Sequence, residues 1–409
     1  MKYTHNVLIK NPFETLKNTK LKIIDGKVNN YLKVNASYVK KYPYKHLISP
    51  GFLNLHTHLV YNQVNLASQN LFPWLADLMS FMLSGTFNIN ESCKEACQEL
   101  LSYGTTFILE NTSHPEASSA AILESGLRAV VGIEVFGSDP NLAKKTLEQA
   151  LEKISTLESG MYAKFQAESR VKFTLSPHSS YNVSKKLFQD IKSKVDLPLI
   201  LTHLSESYAE EQWFQNKDDD SLIEMKSFWG KLGLLDTKLK YYSKHSSSID
   251  YLKDVIDERF LLTHMGAATE SDLKVLEALR PALVTCPRSN RYLNNPVPDV
   301  KLWQNFNWGF GTDSKASNYS LDLRAEANCF NDLAALEKFK HLTLEAAKAA
   351  QMDLALGSLD LTKAADYVIW RVADEVDLDQ VDPYEILLNS ELSQVAETWV
   401  AGKQVYKKS

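Results

Sequence analysis

The sequence predicts an α/β fold: a distorted TIM (β/α)8 barrel carrying a small β-sandwich built from both chain ends. Three observations predict it. Short, continuously apolar runs alternate with helix-like segments between Gly51 and about Ala350, about eight times over, which is the pattern of a buried parallel sheet. The stretches before and after this region are strand-like, similar to each other and unlike the middle. The chain has 409 residues, enough for a barrel of about 250 residues with insertions and an appendage. The expected division is residues 1–49 and 357–409 for the sandwich, and 50–356 for the barrel.

Each element has its own signal. Val7–Lys10 and Leu21–Ile24 read as strands, and Asp25-Gly26 as a tight hairpin turn, because such turns need positive φ at both central residues. The barrel strands are the apolar runs Gly51–His56, Thr105–Glu110, Ala129–Glu134, Val171–Ser176, Leu197–His203, Phe260–His264, Ala282–Cys286 and Trp308–Asp313. Between them, Glu91–Tyr103, Asn141–Leu157, Ser184–Lys194 and Ser271–Leu279 read as helices, the last two with Ser184 and Ser271 as N-caps. Ala365–Trp370 reads as a strand returning to the sandwich, and Thr398–Tyr406 as a hairpin turning at Gly402.

Composition narrows the function. Lys plus Arg number 45 and Asp plus Glu 50, a net charge of −5. No basic footprint marks a nucleic-acid binder. A hydrophobic fraction of 44% with 23% charged residues is that of an ordinary soluble chain. No run reaches the roughly 20 apolar residues of a membrane span, and the N-terminus lacks a signal-peptide pattern. Cys93, Cys97, Cys286 and Cys329 form no disulfide framework, so a cytoplasmic chain with free thiols is expected. Cys93 and Cys97, four apart on a helix, read as small buried hydrophobes.

In such barrels the chemistry stands at the C-terminal ends of the strands. Strand one ends in His56-Thr57-His58, strand two in Glu110, and strand three passes Glu134. Strand four is followed by His178, strand five ends in His203 with Glu206 shortly after, strand six in His264 and strand eight in Asp313. His56 and His58, two apart on a strand, point to one side. With His203 and Asp313 they form a His₃Asp ligand set suited to zinc or iron. No lysine follows strand four to bridge two ions, so one metal is expected, with His264 hydrogen-bonding its water or the substrate. Glu206 is the expected proton carrier. Glu210 and Glu211 are expected to face solvent. Phe72 and Trp74 either stack on a substrate base or anchor their loop. The long segment after strand five, with Trp213, Phe214, Asp218–Asp220, Phe228 and Trp229, is either a lid or an acidic turn with anchoring aromatics.

These motifs resemble the amidohydrolase superfamily. The resemblance is carried by Pro50-Gly-Phe-Leu-Asn-Leu-His-Thr-His58, Ser176-Pro-His-Ser-Ser-Tyr181, Thr202-His-Leu-Ser-Glu206, Thr263-His264, Thr285-Cys-Pro-Arg-Ser-Asn290 and Gly311-Thr-Asp-Ser314. It points to the branch holding adenosine-type, methylthioadenosine/S-adenosylhomocysteine, guanine and cytosine deaminases and the chlorohydrolases. It implies one divalent ion, zinc or iron, on His56, His58, His203 and Asp313. Glu206 would be the acid/base at the substrate ring, His264 would orient the attacking water, and His178 would face the sugar of an adenine nucleoside. Trp74, Ser289 and Asn290 are further expected substrate contacts. Such enzymes are often dimers, so the resemblance allows a homodimer, while the sequence itself does not give the oligomeric state. Thr202–Trp213, Ser227–Trp229, Thr285–Leu293 and Gly311–Asn318 are also similar to the bacterial 6-amino-6-deoxyfutalosine deaminases of menaquinone biosynthesis. Phe72–Thr86 contains Asp77 but no Glu, where the methylthioadenosine/S-adenosylhomocysteine enzymes carry a ribose-binding glutamate. Those substrates come second, and free-base deamination or chlorohydrolysis third. A scaffold without catalysis would have lost ligands that this chain keeps.

Overall fold

A computed structural model describes residues 5–165, 170–194, 197, 199–217 and 220–408. Five strands open the chain: β1 (Asn6–Asn11), β2 (Glu14–Lys17), β3 (Thr19–Ile24), β4 (Lys27–Lys33) and β5 (His46–Pro50). Eight follow with helices between them: β6 (Phe52–Thr57), β7 (Thr105–Thr112), β8 (Arg128–Val135), β9 (Val171–Pro177), β10 (Ile200–Leu204), β11 (Phe260–His264), β12 (Ala282–Thr285) and β13 (Trp308–Phe310). Three end it: β14 (Tyr367–Val372), β15 (Ser393–Val400) and β16 (Lys403–Lys407).

The eight middle strands lie side by side in chain order, every pair parallel. They read as unbroken apolar runs because both faces are covered: every residue of β6, β7, β10 and β11 is buried. Leu53, Leu109, Val130, Leu201, Leu261 and Val284, from six strands, share one cluster. The barrel is therefore a packed body with its site at the rim, not a pore.

Closure is made by little backbone. The run expected as strand eight leaves the ladder at Phe310, and Asp313 adopts positive φ (58°). The seam to β6 is completed by side chains and one bridge. The Asn54 amide donates to Thr312 Oγ1 (2.8 Å) and its oxygen accepts from the Thr312 N–H (3.1 Å). The Asp313 N–H donates to the His56 carbonyl (3.0 Å), and Thr57 bridges Asp313 in parallel. Gly311 makes this approach possible, since a Cβ there would sit 2.6 Å from the His56 Cβ and 3.0 Å from the Cys286 Sγ.

The two chain ends meet as expected. One six-stranded sheet runs β16-β15-β14-β5-β1-β2, with β5 antiparallel to β14. The hairpin β3–β4 forms a second, smaller sheet, and Leu8, Val28, Ile48, Tyr367 and Ile369 fill the space between. Asp25 and Gly26 (φ 49° and 72°) make the turn of β3–β4, and Ala401 and Gly402 (φ 49° and 70°) that of β15–β16, as two-residue hairpins require.

Helix ends differ from expectation where another polar residue caps better. The helix expected from Ser271 is Glu270–Leu279, capped by Thr269 in a reciprocal box with Asp272; Thr269 stands three residues before a carboxylate that can answer it. Asn88 caps Ile89–Ser102, and Ser184 caps Lys185–Lys192 as expected. Ala143–Phe165 runs longer than expected, after a 3₁₀ turn at Pro140–Leu142. Strand five begins at Ile200, and Pro198, inside the expected run, lies outside the described residues. No helix among the described residues is long and apolar enough to cross a membrane.

Gly311→Ala is expected to cost about 1–3 kcal/mol, as overpacking does, read as a lower midpoint in chemical denaturation. An unchanged midpoint would contradict the tightness of the seam.

Candidate metal centre and active site

Strand ends bring the imidazoles of His56, His58, His203 and His264 and the carboxylates of Asp313 and Glu206 to one rim. The Nε2 atoms of His58 and His203 face each other at 3.3 Å, and Asp313 Oδ1 lies 3.7 Å from Nε2 of both His56 and His58. Ligand atoms of His56, His58 and His203 all lie within 4.8 Å of one another, as do those of His56, His264 and Asp313. A tetrahedral ion with bonds of about 2.0–2.1 Å separates its donors by roughly 3.3–3.4 Å, so the spacing suits an ion. His56 Nε2 is buried without any hydrogen-bond partner, a cost that a bound cation removes.

The outer ring nitrogens show why the inner ones are bare. His203 Nδ1 donates to the His178 carbonyl (2.7 Å), which leaves Nε2 its lone pair. His264 Nδ1 donates to Asn290 Oδ1 (2.9 Å), and the Asn290 amide is held by the Pro296 carbonyl (2.6 Å). Burial pushes these rings toward their neutral form. It lowers the pKa of His56 well below the ordinary value and that of His58 to about 4, with the neighbouring imidazoles adding to it at His56. It also lowers His203 and His264.

Burial alone would raise Asp313, but His58, His264 and the Ser289 hydroxyl outweigh it and hold the carboxyl below its ordinary range. Its Oδ1 accepts from the Ser314 N–H (2.7 Å) and its Oδ2 from Ser289 (2.6 Å) and Ser317 (3.2 Å). Three of these rim positions are bent: Ser205, His264 and Asp313 have φ of 53°, 77° and 58°. Left-handed backbone costs a non-glycine residue about 1–2 kcal/mol, and packing of this kind over-determines it at functional sites.

Glu206 is 5% exposed. Burial pushes its carboxyl up to about 7, which suits a proton carrier near neutral pH. Its Oε1 accepts from Asn295 (3.1 Å) and lies 3.9 Å from His264 Nε2. The expectation that Glu210 and Glu211 face solvent is wrong. Both are buried, because scattered serines satisfy them. Glu210 accepts from Ser180 and from the Glu206 N–H (2.9 Å). Glu211 accepts from Ser205 (2.7 Å) and from the N–H and hydroxyl of Ser248 (2.9 and 2.6 Å). They pin the bend that carries Glu206.

Three residues expected to contact substrate are held within the fold. Ser289 and Asn290 are fully buried and stand behind the rim, the first holding Asp313 and the second His264. Trp74, on the helix Leu71–Leu83, shares an apolar cluster with Phe72, Leu78, Tyr181, Phe228 and Trp229, and its Nε1 is buried without a hydrogen-bond partner. The segment after β10 forms helices Tyr208–Gln215, Asp220–Lys231 and Leu235–Lys240, and Trp213, Phe214, Phe228 and Trp229 are buried anchors in it. Asp218 and Asp219 of the expected acidic turn lie outside the described residues. His178 stays at the rim, its ring 4.8 Å from that of His203 and 4.7 Å from Phe136.

Sequence reasoning gave no role to Glu110, Glu134 or Lys238. Glu110 is raised to about 8 by burial. It accepts from Thr57 (2.7 Å), Ser118 (2.9 Å) and the Leu59 N–H (3.1 Å to each oxygen), which clamps the HxH strand end. Glu134 lies 3.9 Å from His58 Nδ1 and is raised to about 7 by burial and then by Asp313. Their positions at strand ends were the available signal. A cavity of about 260 Å³ opens beside the loop that follows His178, lined by Ser138, Tyr181, Ser184, Trp213, Lys238 and Tyr251 among others.

The sequence pattern of the Amidohydrolase family matches residues 47–405. The chain belongs to the amidohydrolase family. Aminodeoxyfutalosine deaminase of a Nitratiruptor species is 27% identical to it over 361 residues, covering 85% of this chain and 84% of that one. 5-Methylthioadenosine/S-adenosylhomocysteine deaminase 1 of Syntrophus aciditrophicus is 26% identical over 395 residues, covering 88% and 80%. The crystal structure of Helicobacter pylori aminofutalosine deaminase with methylthio-coformycin aligns over 98% of both chains, with a TM-score of 0.78 and 23% identity. That of an adenosine deaminase from Xanthomonas campestris with bound zinc covers 97% of this chain and 91% of its own, with a TM-score of 0.73 and 20% identity. These two structures share the fold. As an amidohydrolase the chain is a hydrolase of a family whose members are metal-dependent.

Ser289→Ala is expected to weaken metal binding about 10–100-fold, as loss of a ligand's supporting hydrogen bond does. Titration of the metal-free protein with zinc reads this, and wild-type affinity would remove Ser289 from its supporting role.

Proposed function

We propose that this chain is an aminohydrolase acting at C6 of an adenine nucleoside, with 6-amino-6-deoxyfutalosine as substrate and futalosine and ammonia as products, on a route to menaquinone. The observation that carries the deaminase reading is the buried Glu206, raised to about 7, on the rim of the His₃Asp set. The likeness to the Nitratiruptor aminodeoxyfutalosine deaminase across most of both chains favours the named substrate. His56, His58, His203 and Asp313 would hold one divalent ion, zinc before iron, and its Lewis acidity would make water nucleophilic near neutral pH.

The side chains supply the rest. Protonated Glu206 gives its proton to N1, which draws electrons from C6. His264 Nε2, bare because Nδ1 is committed to Asn290, accepts a hydrogen bond from the attacking water and orients it. Asp313, held ionised, takes the water's proton as oxygen bonds to C6. That proton passes to the exocyclic nitrogen, the C6–N bond breaks and ammonia leaves, and the C6 hydroxyl returns its proton to Glu206 as the carbonyl forms. His178 binds the sugar side of the substrate. The four free cysteines fit a cytoplasmic enzyme.

Zinc-loaded protein given a panel of adenine nucleosides is expected to release ammonia, with the adenine-to-hypoxanthine ultraviolet shift, most efficiently from aminodeoxyfutalosine. Preferred turnover of methylthioadenosine would overturn the substrate. Glu206→Gln is expected to lose at least about a hundredfold in kcat with its metal content unchanged, and retained activity would overturn its role.

A further inference from the structure

We propose that Lys238 is a positioning residue which, through Asn182, fixes the His178 imidazole with its proton on Nε2, turned to the substrate as a donor. The use of that donor rests on the nucleoside-binding reading above; the relay itself does not. Lys238 sits in the helix Leu235–Lys240, inserted after β10, and is only 5% exposed. Its Nζ donates to Ser138 Oγ (2.5 Å), the Tyr181 carbonyl and Asn182 Oδ1 (3.2 Å), and lies 5.1 Å from the Trp229 ring centre. Among the described residues no carboxylate pairs with it. Its oxygen partners come instead from the loops after β8 and β9, so one buried cation fastens the insertion to both loops.

The consequence runs along the hydrogen bonds. A carbonyl can only accept, and an ammonium can only donate. With an ammonium on one side, the Asn182 amide must turn its oxygen to Lys238, and its NH₂ then faces His178 Nδ1 at 3.3 Å. An NH₂ group cannot accept, so Nδ1 carries the lone pair and Nε2 the proton. Ser179 Oγ lies 3.0 Å from the same nitrogen. Burial draws the Lys238 ammonium down to about 7, while three acceptors around Nζ favour its charged form. The same segment already serves the site, since the His178 carbonyl fixes His203.

The test is nitrogen NMR of the zinc-loaded full chain carrying ¹⁵N-histidine, with the His178 signals assigned by their loss in His178→Gln. Wild type is expected to show the Nε2–H form. Asn182→Asp keeps the Lys238 contact but offers His178 an acceptor, and is expected to move the proton to Nδ1. Lys238→Met frees the amide and is expected to give both tautomers. In each variant KM for the nucleoside is expected to rise about tenfold, the worth of one hydrogen bond, with kcat within about twofold. An unchanged Nε2–H signature in both variants would overturn the relay. So would a fall in kcat with KM unchanged. If Lys238→Met fails to fold, the near-isosteric Asn182→Asp carries the test alone. If no nucleoside is a substrate, the NMR signature still decides the relay while the function fails separately.

Discussion

The seam between the eighth and first barrel strands is the constraint on which the site depends. Only three residues of β13 are regular strand, and the chain then leaves the sheet through Gly311 to Asp313. The hydrogen bond from the Asp313 N–H to the His56 carbonyl is thus both part of the barrel's closure and the tie that sets a carboxylate beside the HxH pair. Packing and ligand placement are one event here. Asn54 and Thr312, paired through side chains, take over from the missing backbone ladder.

Around that seam, burial sets the chemistry. Desolvation disfavours charge, so the imidazoles are pushed toward the neutral form that can bind a cation, while Glu206 is lifted toward neutrality. Asp313 stays ionised because several donors and the imidazoles face it. Two carboxylates 107 residues apart in sequence therefore have their proton affinities pushed in opposite directions within one site, which is how one fold supplies an acid and a base together. Serines, asparagines and backbone groups hold these residues from behind. Lys238 extends the same logic outward, tying the helical insertion to the loops beside His178.

Much of this was legible in the sequence. The barrel strands showed as apolar runs because both of their faces are covered, and the rim rule turned strand ends into a ligand list. His56 and His58 stood out through their spacing of two, and the Asp25-Gly26 and Gly402 turns through their need for positive φ. What stayed hidden was the partnering of polar groups. Glu210 and Glu211 look like a surface charge cluster until Ser180, Ser205 and Ser248, distant in sequence, arrive to satisfy them. Ser289 and Asn290 sit in the right motif but one layer back, because their helix turns them toward Asp313 and His264. Lys238 gave no signal, since its acceptors include a main-chain carbonyl and side chains about 56 and 100 residues away. Trp74 showed its size but not its side.

The central claim, that closure of the barrel builds a centre for one ion, is tested most directly by anomalous diffraction at the zinc edge from crystals of the zinc-loaded protein. The account predicts a single peak bounded by His56, His58, His203 and Asp313, with Glu206 outside the ligand set. Two peaks at the barrel mouth, or a single peak that leaves out Asp313, would contradict it.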